Sequence, residues 1–298
     1  MLKRMILALT LVGVCLLILA ESRSVVEVFA GTLKTNKPDA RHEAAATLAQ
    51  VQAAQAKPHG QFATSTCAFT FTTGANDSFL KYCVTTNGNI TQLETPSGKE
   101  HIAVGAFGEG YGFCDLSSSV RYFDYADFGD SGNWGAATLV SQDAKSVRIA
   151  RTTTDGLWTL TQTITQIPGI SPSVRIAMTV KNNSGAAKGL FFMRYADVDA
   201  GGQVQNNLDG TLKSAFGWNS DVSSNPAGLV LQNAGRFPAD SSPGGFTQTV
   251  PSGPDPCGFA AHMASGTQIA NDGSVVFLYA LNFSKGASKT VTVSYQRL

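Results

Sequence analysis

The residues best suited to chemistry lie in one short stretch: Arg194, Tyr195, Asp197 and Asp199, then Gly201-Gly202, Gln205-Asn206-Asn207 and Asp209-Gly210. Asp197 and Asp199 alternate as the first carboxylates of a calcium loop do, and Gly202 occupies that loop's sixth position. The fifth position is Gly201 and the twelfth is Leu208, so the bidentate acid that completes such a loop is missing. Three readings stay open: a turn whose carboxylates cap backbone amides, a loop contacting Ca2+ or sugar, and an active-site acid. Asp197 and Asp199 are the candidate metal ligands, Arg194 is a candidate ligand contact, and no other cofactor is indicated.

A second cluster runs from Tyr122 through Phe123, Asp124, Tyr125, Asp127 and Asp130 to Asn133-Trp134. Aromatic faces stack on sugar rings and carboxylates accept sugar hydroxyls, so Asp124, Tyr125, Asp127 and Trp134 are candidate carbohydrate contacts. The alternative is a strand edge with buried aromatics. Trp218 is a third candidate platform, whereas Trp158 falls in an alternating apolar row and reads as packing. Glu94, Glu100, Glu109, Asp115, Asp124, Asp197 and Asp199 supply carboxylates from which a lyase or glycosidase would draw an acid and a base. Only His101 and His262 lie beyond the N-terminal segment, and His101 reads as a satisfied edge residue. No GxSxG, HExxH or P-loop occurs, nor a GxGxxG between strand and helix.

These residues need elements to position them, and from Gln61 onward the pattern has a period of two. Val147, Ile149 and Arg151 alternate with Arg148 and Ala150. Trp158, Leu160, Gln162 and Ile164 alternate with threonines, and Val174, Ile176, Met178 and Val180 with Arg175, Ala177 and Thr179. Threonine on one face and β-branched residues on the other describe half-buried antiparallel strands. Asn87-Gly88, Asp155-Gly156, Asn182-Asn183-Ser184-Gly185 and Asn271-Asp272-Gly273 are turns between them. Asn76, Asn89, Asn182 and Asn282 head N-x-S/T triplets, which suit surface turns. The spacing predicts a final hairpin from Ser274–Phe283, through Lys285-Gly286, to Lys289–Tyr295. Residues 217–258 read as loop-rich, with one strand at Gly228–Leu231. No helical period follows Lys57, so residues 61–298 are expected to form one all-β sandwich.

The N-terminus differs. Lys3 and Arg4 precede an apolar run from Met5 to Ala20, and Ala20-Glu21-Ser22 places small residues for cleavage after Ser22. This describes a signal peptide over residues 1–22 and a secreted chain, periplasmic or extracellular, with an uncleaved anchor as the alternative. Once cleaved, the chain has no predicted membrane span. Residues 23–60 read as a flexible or partly helical tether, rich in Ala and Gln. Cleavage removes Lys3, Arg4 and Glu21 and takes the formal charge from +1 to 0. With no basic stripe, a nucleic-acid partner gains no support. Charged residues are 14% of the chain, against roughly a quarter in ordinary globular proteins, as suits a neutral polar surface.

Cys67, Cys83, Cys114 and Cys257 remain after the signal, and an even number in an oxidising compartment predicts two disulfides. Cys67 and Cys83 lie symmetrically about Ala75, inside the turn Gly74-Ala75-Asn76-Asp77. A hairpin there pairs them, sets Phe71 opposite Phe79, and leaves Cys114 to Cys257.

The stretch Gly88-Asn89-Ile90-Thr91-Gln92-Leu93-Glu94-Thr95-Pro96-Ser97-Gly98-Lys99-Glu100-His101-Ile102 resembles the opening of a galactose-mutarotase-like supersandwich, where an early strand runs into a Pro-x-Gly turn. Trp158 to Lys181, with the turn after it, resembles that fold's long central strands. The resemblance implies a supersandwich over about residues 80–298, in a superfamily of mutarotases, sugar lyases, glycosidase accessory domains and non-catalytic sugar binders. The paired histidines and glutamate of mutarotases have no match here. The expected function is carbohydrate contact at the cell envelope. A polysaccharide lyase or glycoside hydrolase, and a structural or adhesive surface protein, are the alternatives.

Overall fold

The alternating rows form strands as expected. The computed structural model describes residues 67–102, 108–126, 129–219, 227–236, 241–248, 255–258, 263–264 and 267–298. The signal peptide and tether lie outside the described residues. Among those described there is no α-helix, and no helix is long and apolar enough to cross a membrane.

Three antiparallel sheets account for the described strands. The first 3 strands, β1 (Phe69–Thr73), β2 (Leu80–Val84) and β3 (Ile90–Glu94), form a small sheet. The strands that follow are β4 (Glu109–Asp115), β5 (Val120–Tyr125), β6 (Gly129–Asp130), β7 (Thr138–Gln142), β8 (Ser146–Thr152), β9 (Trp158–Ile167), β10 (Ser173–Asn182), β11 (Lys188–Asp197), β12 (Asn206–Gly210), β13 (Ser214–Asn219), β14 (Ala227–Asn233), β15 (Ser241–Gln248), β16 (Met263–Ala264), β17 (Gln268–Asn271), β18 (Ser274–Phe283) and β19 (Ser288–Arg297). A 9-stranded sheet has the order β17-β12-β13-β14-β19-β10-β9-β8-β7, and a 7-stranded sheet the order β16-β15-β18-β11-β4-β5-β6. Their apolar faces share one core. Trp158, Leu160, Ile164, Ile176, Met178, Val291 and Val293 come from the larger sheet; Tyr111, Phe113, Phe192, Phe277 and Leu281 come from the smaller.

The structure corrects three expectations. The last two strands are not a hairpin: β18 pairs with β11 and β15, while β19 pairs with β10 and β14 in the other sheet. Their compositions account for this. Ser274–Phe283 is almost continuously apolar and buried on both faces, whereas Ser288–Arg297 alternates and solvates one face. The turn through Lys285-Gly286 therefore crosses from sheet to sheet. Second, besides the expected strand at Gly228–Leu231, which lies within β14, the loop-rich region contains the end of β13 and all of β15. Gly245 of β15 lies where a Cβ would meet the Ser214 carbonyl oxygen at 2.1 Å, so this strand fits only without a side chain there. Third, Phe71 pairs with Tyr82 rather than Phe79, and their rings stack at 5.1 Å. A 3-10 turn at Asn76–Ser78 lengthens the connection, and Thr70 stands opposite Cys83.

Both predicted disulfides are present, Cys67–Cys83 and Cys114–Cys257. The second joins residues 143 apart in sequence. Replacing Cys114 and Cys257 together by alanine is expected to lower stability by about 2–5 kcal/mol, since the unfolded chain regains a long loop's freedom. A thermal melt checks this, and an unchanged melting temperature would contradict it.

Candidate functional site

Arg194 and Arg151 occupy inward positions of β11 and β8, so each guanidinium enters the space between the sheets and must find partners there. Arg194 is fully buried and pairs through Nε with Glu109 of β4. Its Nη1 donates to Gln162 Oε1 at 2.5 Å and its Nη2 to the Gly88 carbonyl at 3.0 Å. Glu109 also accepts from the Ile90 amide at 2.7 Å and the Tyr295 hydroxyl at 2.9 Å. Burial pushes the Glu109 carboxyl upward and Arg194 opposes it.

Arg151 bonds Asp124 through Nη1, Asp130 through Nη2 at 2.8 Å and the Gly135 carbonyl through Nε at 3.0 Å. Asn87 Nδ2 also donates to Asp124, at 2.9 Å. Trp134 is 2% exposed and packs edge-on against Tyr111 and Phe113, with the Arg151 guanidinium 5.2 Å from its ring centre. Trp134 is thus a core residue with no face open to solvent.

The other carboxylates divide likewise. Asp115 accepts from Lys188 Nζ at 2.7 Å and Trp158 Nε1 at 3.2 Å. Glu94 accepts from the Gly98 amide at 2.5 Å, and Glu100 from the Leu93 amide at 2.6 Å. His101 is buried, with Nε2 2.5 Å from the Thr95 carbonyl oxygen, and burial pushes its pKa down.

Strand alternation splits the two sequence clusters. Asp124 and Arg194 point inward, while Tyr125 and Tyr195 point to the outer face of the seven-stranded sheet and meet there edge to face at 4.9 Å. Gly110 pairs with both tyrosines, and a Cβ on it would come within 2.6 Å of the Tyr125 ring. Tyr125 and Tyr195 are 2% and 0% exposed yet lie outside the main core, so chain covers this face. Part of the cover is Asp255–Gly258. The Cys114–Cys257 disulfide and the Arg121–Asp255 ion pair at 2.7 Å tie it down, and Pro256 sits over Gly112.

Asp197 ends β11 on this outer face. It lies in the strand rather than in a loop beyond it, so it is not beside Arg194. Its Oδ1 is buried with no hydrogen-bond partner. Burial first, then the charges of Asp199 and Asp272, raise its pKa to about 8; Asp199 is raised to about 6. Among the described residues no three Asp, Glu, His or Cys side chains converge as a metal cluster by themselves. Asp127 lies outside the described residues.

Trp218 stands apart, on the outer face of the nine-stranded sheet. Ala215, Gly217 and Asn219 of β13 are buried, while Phe216 and Trp218 are half-buried with ring centres 5.6 Å apart and planes 32° from parallel. Asn207 pairs with Trp218 and Asp209 with Phe216 on neighbouring β12. Sequence reading missed Phe216, Asp272, Ser274 and Tyr295, and it did not join Asp124 and Asp130 to Arg151. The one available signal was Arg151 itself, an arginine in an apolar alternating row.

Two predictions follow from this geometry. Glu109→Gln leaves the Arg194 charge buried without its counter-ion and is expected to destabilise by about 3–5 kcal/mol, read from a urea midpoint; Glu109→Gln with Arg194→Met should recover part of that. The folded pKa of Asp197, about 8, exceeds its unfolded value of about 4. Its contribution is fully present below about pH 4 and is lost as pH rises through about 8. With divalent cations chelated, Asp197→Asn should therefore lose less stability than the parent between those limits. Parallel melting curves across pH would contradict this.

No protein-family model matches the chain, and no curated protein is similar to it in sequence. Solved structures are similar to it. A bacterial glucoamylase in complex with acarbose matches 78% of this chain with a TM-score of 0.51 at 8% identity, and the chain spans only 32% of that protein's length. A putative aldose 1-epimerase from Escherichia coli K12 matches 77% of the chain and 99% of its own length, with a TM-score of 0.41 at 11% identity. A galactose mutarotase-like protein from Lactobacillus casei ATCC 334 matches 77% of the chain and 100% of its own length, with a TM-score of 0.41 at 12% identity. At these identities the likeness is one of fold, an all-β sandwich.

Proposed function

We propose that the chain is a secreted, non-catalytic protein that contacts carbohydrate, with a signal peptide over residues 1–22 and a tether over residues 23–60. The observation that carries the reading is the Phe216–Trp218 pair. Two neighbouring half-exposed rings on a sheet face, with the Asn207 amide and the Asp209 carboxylate beside them, offer stacking surface and hydroxyl partners together. Asp209 is held for such a role: Thr267 Oγ1 donates to its Oδ2 at 2.7 Å and the Gly210 amide to its Oδ1 at 2.7 Å.

The state of the carboxylates supports a role without catalysis. Glu109, Asp115 and Asp124 are engaged by cations, and Glu94 and Glu100 accept from backbone amides. Of the carboxylates singled out in the sequence, Asp197 and Asp199 remain, and they come from one segment, with Asp272 joining them from a separate turn. A glycosidase needs an acid and a second carboxylate flanking the scissile bond from either side.

Retention of the folded protein on a panel of insoluble and soluble polysaccharides tests the reading. Trp218→Ala, and separately Phe216→Ala, should weaken binding at least tenfold while leaving the melting temperature nearly unchanged. Absence of retention on every polysaccharide would remove the proposal, as would turnover of any of them.

A further inference from the structure

At the end of the seven-stranded sheet two paired residues each carry a buried side-chain oxygen without a hydrogen-bond partner. Asp197 closes β11 and Ser274 opens β18, and the two residues are directly paired across the strands. Paired residues project from the same face of a sheet. Asp197 is 5% exposed and Ser274 is 0% exposed. Asp197 Oδ1 and Ser274 Oγ both lack a hydrogen-bond partner. A buried polar atom left unpaired costs about 1–3 kcal/mol, so two such atoms side by side mark a place where something polar binds.

Charge narrows the choice. Asp272 lies two residues before Ser274, and the Val198 amide bonds the intervening Gly273 carbonyl at 3.2 Å, which draws the Asp272 turn against the end of β11. Asp199 follows two residues after Asp197 and leads into the short turn Ala200–Gly202. The charges of Asp199 and Asp272 raise the pKa of Asp197, and those of Asp272 and Glu100 raise that of Asp199; among the described residues none of Asp197, Asp199 and Asp272 forms an ion pair with a cationic side chain. An anion is repelled here. A soft transition metal would want His or Cys, which do not contribute to this group.

We infer that Asp197 and Ser274, with Asp199 and Asp272 at the rim, hold a calcium-class divalent cation at the end of the seven-stranded sheet. Ca2+ takes six to eight oxygen ligands, including hydroxyls, carbonyls and water, and tolerates irregular geometry. That suits a site whose carboxylates do not converge by themselves on one point. Mg2+ demands a near-ideal octahedron and dehydrates reluctantly, so it fits this arrangement poorly. The ligand set differs from the twelve-residue loop that the spacing of Asp197 and Asp199 suggests, because Asp272 and Ser274 come from a turn and strand more than seventy residues further along the chain. The inference does not depend on carbohydrate binding at Trp218.

The test uses the full secreted chain, stripped with chelator and titrated with Ca2+, Mg2+ or Tb3+. Ca2+ should raise the melting temperature by several degrees through binding the native state alone, and Mg2+ should raise it much less. Tyr195 lies close enough for the charge of Asp197 to act on it, so bound Tb3+ should show tyrosine-sensitised emission that excess Ca2+ removes. Asp197→Asn and Ser274→Ala should each weaken Ca2+ at least tenfold, and Asp209→Asn should leave it unchanged. Asp272→Asn, at a half-buried turn position, serves where a fully buried variant does not fold. No melting shift and no Tb3+ emission would overturn the inference and leave water as the occupant. A Ca2+ shift that survives Asp197→Asn, Ser274→Ala and Asp272→Asn would overturn it equally.

Discussion

The Glu109–Arg194 ion pair is the constraint on which the sheets depend. Both side chains have 0% exposure, and a charge so far from water is tolerated only when its partners are complete. The partners come from every sheet. Glu109 and Arg194 belong to the seven-stranded sheet, Gln162 and Tyr295 to the nine-stranded one, and the Gly88 carbonyl and Ile90 amide to the entry into β3. Sliding any one sheet by a residue leaves an oxygen or a guanidinium proton unpaired. Such a pair adds little net stability compared with an apolar core of equal volume. What it supplies here is registry among three sheets whose apolar side chains would pack almost as well in other alignments.

Arg151 repeats the device on the other side of the core. Its guanidinium reaches Asp124 and Asp130, which stand opposite one another on β5 and β6, and so ties the short edge strand β6 to the nine-stranded sheet. Asp124 and Glu109 would be attractive acids in a bare sequence. In the fold they are consumed by the arginines that face them, and this removes them from any reaction with an external substrate.

The regular strands were legible in the sequence because a two-residue period needs only local information. Threonines at 159, 161, 163 and 165 against Leu160 and Ile164 declare both faces of β9 without reference to a partner. Pairing is a different matter. Whether Ser274–Phe283 folds back on Ser288–Arg297 or crosses to another sheet depends on which of its faces are covered, and that cover comes from distant chain. Its apolar run held the clue, since a strand apolar on both faces cannot be the solvated partner of an alternating one. The disulfides were legible for their own reason, an even cysteine count with one near-symmetric turn, although the register inside that hairpin was off by the length of the turn at Asn76–Ser78. The candidate site was the least legible part. Neighbours in sequence on a strand face opposite ways, so Asp124-Tyr125 and Arg194-Tyr195 each divide between the interior and the outer face. The aromatic halves rejoin over Gly110, a glycine that nothing in the local sequence marks.

The division between satisfied and open polar groups shows where the molecule can still interact. Inside, each carboxylate oxygen of Glu109 has a donor, so that region is closed to ligands. At the end of β11 the same strand that buries Arg194 so completely leaves Asp197 Oδ1 without a partner, with Ser274 Oγ beside it in the same condition. Two residues of one strand thus differ in their pairing: Arg194 holds the sheets in register, and Asp197, three residues on and pointing the other way, keeps Oδ1 unpaired. A framework held rigid by complete internal pairing can keep such an open group in place, because the strand cannot bend to relieve it without breaking the Arg194 contacts. The open oxygens at the sheet end and the half-buried rings of Phe216 and Trp218 are consequently properties of the rim and the outer faces. The carbohydrate and cation contacts we propose belong there, where the interior charges hold those surfaces still.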